Sequence, residues 1–139
     1  MAAKVRVGLI GAGFAGAFHA RGYQQIRDID VQIVGVAAAR LESAQALARE
    51  YGAAAAYDDA YALIARADVN VIDLCVPNRL HEPLALAALA AGKHVIVEKP
   101  LTGYFGGPEA TDPVGETPKA TMYAAAVASA ERMVQAARD

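Results

Sequence analysis

Three glycines, Gly11, Gly13 and Gly16, stand at the spacing G-x-G-x-x-G inside "GLIGAGFAGAFHARG" (8–22), a spacing suited to holding a diphosphate. The apolar stretch "VRVGLI" runs directly into Gly11, and the helical stretch "FAGAFHARGYQQI" leaves the loop. In that setting Gly11 allows a tight turn and Gly13, with no side chain, lets the backbone approach a pyrophosphate. Gly16 lets the helix lie close to the strand. The helix start at Phe14 and Ala15 adds free N–H groups and roughly half a positive charge, which favours a bound anion. The spacing alone is weak in a chain with 12 glycines; strand, loop and helix in register make it a dinucleotide site.

Which dinucleotide is decided at the end of the second strand, about twenty residues on, where an acidic residue would accept bonds from a ribose 2′-hydroxyl. The strand ends "VGVAAARLES", with Ala38 at the acidic position and Arg40 two residues later. Ala38 leaves space, Arg40 brings a cation that can pair with a 2′-phosphate, and no carboxylate stands there to repel one. The expected cofactor is therefore NADP, with NAD as the alternative. A methyltransferase using S-adenosylmethionine also begins with a glycine-rich turn, but it needs an acid where Ala38 stands.

These residues need a sheet to hold them. Near-continuous apolar runs at 4–10, 31–37, 69–76 and 94–98 read as strands covered on both faces, with a weaker strand at 53–57. Between them, "LESAQALAREYG" places Leu41, Ala44, Leu47, Ala48 and Tyr51 on one helical face with Gly52 as a C-terminal cap. "PLALAALAAG" does the same up to Gly92. Alternating strands and helices on short links give a doubly wound parallel sheet, a three-layer αβα Rossmann architecture. The 139 residues suffice for one such domain, 1–139. After Pro100, residues 101–117 read as a surface excursion or flap. A last helix follows, with Thr117 as N-cap and Pro118 at its first position. The pattern stops before a sixth strand, so the domain reads as truncated.

Composition narrows the partners. The net charge of -2 and pI near 5.9 leave no basic footprint for nucleic acid. No apolar run reaches the length of a membrane span, and the start "MAAKVRVGLIG" lacks the order of a signal peptide. The single cysteine, Cys75, reads as a small buried hydrophobe in a reducing compartment. The expected location is cytoplasmic. No metal-ligating set is read.

Ligands in such sheets lie across the carboxyl ends of the strands, so the exits of the fourth and fifth strands, "PNRLHEP" and "KPLTG", face the reactive end of the cofactor. "GLIGAGFAG" and "CVPNRLHEPLALAALAAGKHVIVEKPLT", with their separation, resemble the N-terminal half of the Gfo/Idh/MocA oxidoreductases. The likeness extends to Thr102, the final helix also fits, and the triplet Glu98-Lys99-Pro100 after P-N-x-x-H is its specific part. It implies hydride transfer between NAD or NADP and a hydroxyl or carbonyl of a sugar, cyclitol or related polyol. It also implies that Lys99 is catalytic, polarising the substrate oxygen or moving its proton. Glu98 would bond near the nicotinamide ribose, Pro77 and Asn78 would line the same stretch, and His81 matches the family histidine opening the next helix. His19 and His94 read as structural, and Asp73 has no role in this reading.

The family carries a second domain that holds the substrate, so this chain alone is expected to bind cofactor without turnover. Two departures bear on the site. Residues 101–117 are longer than the usual link, and Tyr104 and Phe105 within them are candidates to cover the cofactor. Truncation would also expose a sheet edge and the apolar face of the last helix, with Met122, Val127, Met133 and Val134. Self-association into a homo-oligomer is expected from that surface. The competing reading is a stand-alone dinucleotide-binding or sensing module that acts through a partner.

Overall fold

The computed structural model describes residues 4–106 and 114–139. Five strands form one parallel sheet: β1 (Lys4–Ile10), β2 (Asp30–Ala37), β3 (Ala55–Tyr57), β4 (Val71–Leu74) and β5 (His94–Val97), in the order β3-β2-β1-β4-β5. The helices are α1 (Phe14–Tyr23), α2 (Leu41–Tyr51), α3 (Ala60–Ile64), α4 (His81–Ala90) and α5 (Lys119–Arg138). The chain winds outward from β1 to β3, then returns to the other side of β1 for β4. That reversal opens a crevice beyond the carboxyl ends of β1 and β4.

The expected doubly wound sheet is present. Val7, Leu9, Val36, Ile72 and Leu74 are fully buried, as strands covered on both faces require. One core cluster joins β4 to α3, α4 and Met133 of α5; the other joins β1 and β2 to α1 and α2. Gly52 ends α2 in a left-handed conformation and donates to the Ala48 carbonyl.

Several boundaries differ from the sequence reading. α3 was not expected; it holds five residues, and Asp59 starts it by accepting from the Tyr61 amide at 2.9 Å. α4 begins at His81, two residues before the expected start, so Pro83 sits in its first turn, where a missing N–H costs nothing. Pro118, not Thr117, is the N-cap of α5, and no side chain caps this helix. Part of the expected excursion, 107–113, lies outside the described residues; Val114–Glu116 form a 3₁₀ turn.

The apolar face of α5 is less open than expected. Met133 is buried in the core, because α5 lies back along α4. Three polar contacts fix it there. Glu82 accepts from the buried Ser129 hydroxyl at 2.6 Å and from the Arg132 guanidinium, and Thr102 donates to the Ala126 carbonyl at 2.8 Å. Val134 remains 44% exposed, and β5 is one of the two sheet edges, β3 being the other.

The Arg132 bond first, and then that of Ser129, hold the Glu82 carboxyl below its ordinary pKa against the opposing effect of burial. A depressed carboxyl contributes stability above its unfolded pKa and loses it as pH falls through the folded value. Glu82→Gln should therefore lower the melting midpoint at pH 7 by about 3 °C. The gap from wild type should close as thermal melts are repeated below about pH 4.

Candidate dinucleotide site

The glycine turn is built from backbone contacts that leave no room for a side chain. Gly11 has φ 112°, and its N–H donates to the Ala37 carbonyl at 2.8 Å. A Cβ on Gly11 would stand 2.1 Å from the Cys75 carbonyl oxygen; one on Gly16 would stand 2.0 Å from the Gly11 oxygen. These two glycines allow β1, β4 and α1 to close on one another. Gly13 is different. It is the N-cap of α1 with extended backbone, and a Cβ there would meet nothing within 4 Å. Its missing side chain keeps open space open.

A cleft of about 750 Å³ runs from this turn across the carboxyl ends of the strands. Gly11, Gly13, Ala38, Arg40 and Pro77 line it, together with Ser43, Asp58 and Cys75. Arg40 precedes α2, and its guanidinium donates to the Ser43 hydroxyl at 3.2 Å, so these two groups are already paired. The opposite side is Val76, Pro77, Leu80 and Pro83, an apolar wall suited to a flat ring.

Other expected residues lie elsewhere. Phe14 is 88% exposed, its ring stacked on Phe18 at 6.3 Å, so only the backbone at Phe14, Ala15 and Gly16 adjoins the turn. Asn78 lies in a 3₁₀ turn and lines a second cleft with Thr102, Tyr104, Phe105 and Ser129. Tyr104 and Phe105 thus face α5 rather than covering the main cleft. His81 is buried and does not line the cleft either. Its Nδ1 is 3.1 Å from the Pro100 carbonyl and 3.2 Å from that of Leu101, and its Nε2 is 3.0 Å from that of Val76. The ring joins the exit of β4 to the exit of β5, which is a fastening role.

Glu98 and Lys99 leave β5 beside a group of residues that the sequence reading set aside. Glu98 Oε1 is 3.1 Å from His19 Nε2, and the Lys99 amide donates to Glu98 Oε2 at 3.2 Å; the Lys99 side chain is exposed. The Lys99–Pro100 peptide is cis. His19 Nδ1 is 2.9 Å from Oδ2 of the fully buried Asp73, which also accepts from the Tyr23 hydroxyl at 2.7 Å. The Cys75 thiol donates to Asp73 Oδ1 at 3.6 Å. Cys75 is therefore a half-buried member of a polar cluster and not the buried hydrophobe expected. Donor atoms of His19, Asp73 and Cys75 all lie within 4.8 Å of one another. They are nonetheless occupied by hydrogen bonds. Burial, and then the Asp73 charge, push the thiol pKa up, away from the thiolate a metal would bind.

Asp58, Ser43 and the His19–Asp73 pair were missed by sequence reasoning. Asp58 carried a usable signal, since it follows directly on the carboxyl end of the weak third strand. Among the described residues no helix is long and apolar enough to cross a membrane.

A family model described as an oxidoreductase family with an NAD-binding Rossmann fold matches residues 5–135. D-Glucoside 3-dehydrogenase of Escherichia coli is 43% identical over 97 residues, which cover 69% of this chain and 27% of that protein. An NAD-binding oxidoreductase from Klebsiella pneumoniae superposes with a TM-score of 0.75 at 32% identity, over 97% of this chain and 32% of that one. A 3-ketoreductase from Actinomadura kijaniata, solved with NADP and TDP-benzene, gives 0.73 at 27% identity, over 98% and 34%. The chain thus spans about a third of the length of these relatives.

Proposed function

The chain belongs to the Gfo/Idh/MocA oxidoreductase family, and from that premise we propose that it is the NADP-binding part of an enzyme that moves hydride to or from a sugar, cyclitol or related polyol. One observation carries the reading: Gly13 borders open space in a turn whose other two glycines are packed against backbone. Packing alone would have no use for a glycine there. A diphosphate lying on this turn would be held by the amides of Gly13, Phe14 and Ala15 and by the helix start.

The cleft fits the rest of a dinucleotide. Its far end offers Arg40 and Ser43, a cation and a hydroxyl suited to a 2′-phosphate, with Ala38 leaving the space for it. A second reading rests on Asp58, a carboxyl lining the same cleft that could accept from ribose hydroxyls and favour NAD. When bound, the nicotinamide ring supplies the hydride acceptor or donor. Lys99 would place its ammonium against the substrate oxygen, stabilising the negative charge that develops there and, in the reducing direction, donating a proton to that oxygen as hydride reaches the carbon. Glu98 would accept from the nicotinamide ribose, and Pro77 would exclude water from the ring face. Lys99 stands exposed with no substrate wall over it among the described residues, so this chain alone should bind cofactor without turnover.

Calorimetric titration with NADP⁺ and NAD⁺ tests the proposal. Wild type should bind NADP⁺ about tenfold more tightly, and Arg40→Ala should bring the two to parity. Heat from neither ligand would sink the reading, and equal affinities in wild type would shift it to NAD.

A further inference from the structure

Asp73 presents a problem that cofactor binding does not solve. It is a fully buried acid in a central strand, a placement that costs free energy unless its oxygens are satisfied. They are satisfied by Tyr23 and His19 on Oδ2 and by Cys75 on Oδ1. From His19 the contacts continue through Nε2 to Glu98, and from Glu98 to the Lys99 amide. One unbroken line of hydrogen bonds therefore runs from the core to the residue expected to meet the substrate.

Both neighbours of His19 are carboxylates, which accept and do not donate, so the ring satisfies both only as a doubly protonated imidazolium. The titratable groups facing it are Asp73 and Cys75 at β4, Tyr23 on its own helix and Glu98 beyond β5; the Phe18 ring lies tilted to it at 6.4 Å. Partial burial pulls the His19 pKa down, and the bonds and charges of Asp73 and Glu98 outweigh it, leaving a raised value. The ring is 21% exposed, so it is held without being sealed off from protons.

We propose that His19 is a positioning residue: anchored on Asp73, it holds the Glu98 carboxylate, and through it the Glu98–Lys99 turn, beside the nicotinamide end of the cofactor. This rests on the cofactor reading above, and the experiment separates the two. NADPH binding, followed by its fluorescence, is compared with calorimetric binding of 2′-phospho-ADP-ribose, which has no nicotinamide. His19→Gln and the isosteric Asp73→Asn should each weaken NADPH about tenfold and leave the truncated ligand within about twofold. A merely structural role for His19, on the helix that receives the diphosphate, would weaken both ligands alike. NADPH affinity of wild type should fall as pH rises through the His19 pKa, because a neutral ring loses one of its two donors. His19→Gln should show no such fall. NMR titration of the His19 ring should give a pKa above 6.5 in wild type and a lower one in Asp73→Asn. Equal losses for both ligands, no loss for either, or a wild-type His19 pKa at or below 6.5 would overturn the proposal. Wild type that binds neither ligand would overturn the cofactor reading and this inference with it.

Discussion

Gly11→Ala should leave the protein unfolded or lower its melting midpoint by about 10 °C or more. Two independent penalties coincide at this position. The backbone sits at φ 112°, where an L side chain is strained. The added carbon would also lie 2.1 Å from the Cys75 carbonyl oxygen, well inside any allowed contact. Neither side can retreat cheaply. The Gly11 amide is bonded to Ala37 and the Cys75 amide to Ile10, both at 2.8 Å, so movement would open the sheet where β1, β2 and β4 meet. Together these amount to roughly 3 kcal/mol or more, a large share of the stability of a domain this size. Circular dichroism melts of the variant check it; a midpoint within a few degrees of wild type would show that the turn yields more readily than its bonding implies.

Gly13→Val should do the reverse, leaving the fold intact and removing the ligand. The backbone there is extended, with φ -89°, and tolerates a β-branched residue. The new side chain would meet no protein atom within 4 Å of its Cβ, and so would project into the cleft. Thermal midpoints of variant and wild type should agree within about 3 °C. Dinucleotide affinity should drop about a hundredfold, or about 2.7 kcal/mol, as the diphosphate is held off the helix start. Retained affinity would mean that phosphate lies elsewhere. Two glycines separated by one residue thus make opposite demands, one set by the fold and one by what the fold holds.

That division shows what can be read from a sequence. The glycine turn was legible because its cause is local: a strand, three glycines and a helix lie within twenty residues. The parallel sheet was legible because strands covered on both faces are apolar throughout, and Val36, Ile72 and Leu74 need no partner to be recognised. The exit of β5 was marked by the rule that ligands lie across strand carboxyl ends, and the resemblance carried by Glu98-Lys99-Pro100 attached expected roles to its residues. The cluster around Asp73 was not legible. His19 and Asp73 are 54 residues apart in sequence, and nothing in either neighbourhood says that α1 lies across β4 at that height. Asp73 could be noticed as an oddity in an apolar strand, but its explanation is tertiary. α3 escaped because five residues carry less than two turns of periodicity. The start of α4 was misplaced because Pro83 looks like a beginning, while a first-turn proline is equally at home two residues in.

The buried imidazole of His81 bears on how one side of the crevice can move. A single ring contacts carbonyls from both the β4 and the β5 exits, so neither loop can swing without dragging the other. Breathing of the crevice must then be a joint displacement of both loops against the glycine turn, like a jaw with one pivot. A guest entering there would meet a wall that shifts as a unit, and whatever grips the loop after β4 would be felt at the loop after β5 behind it.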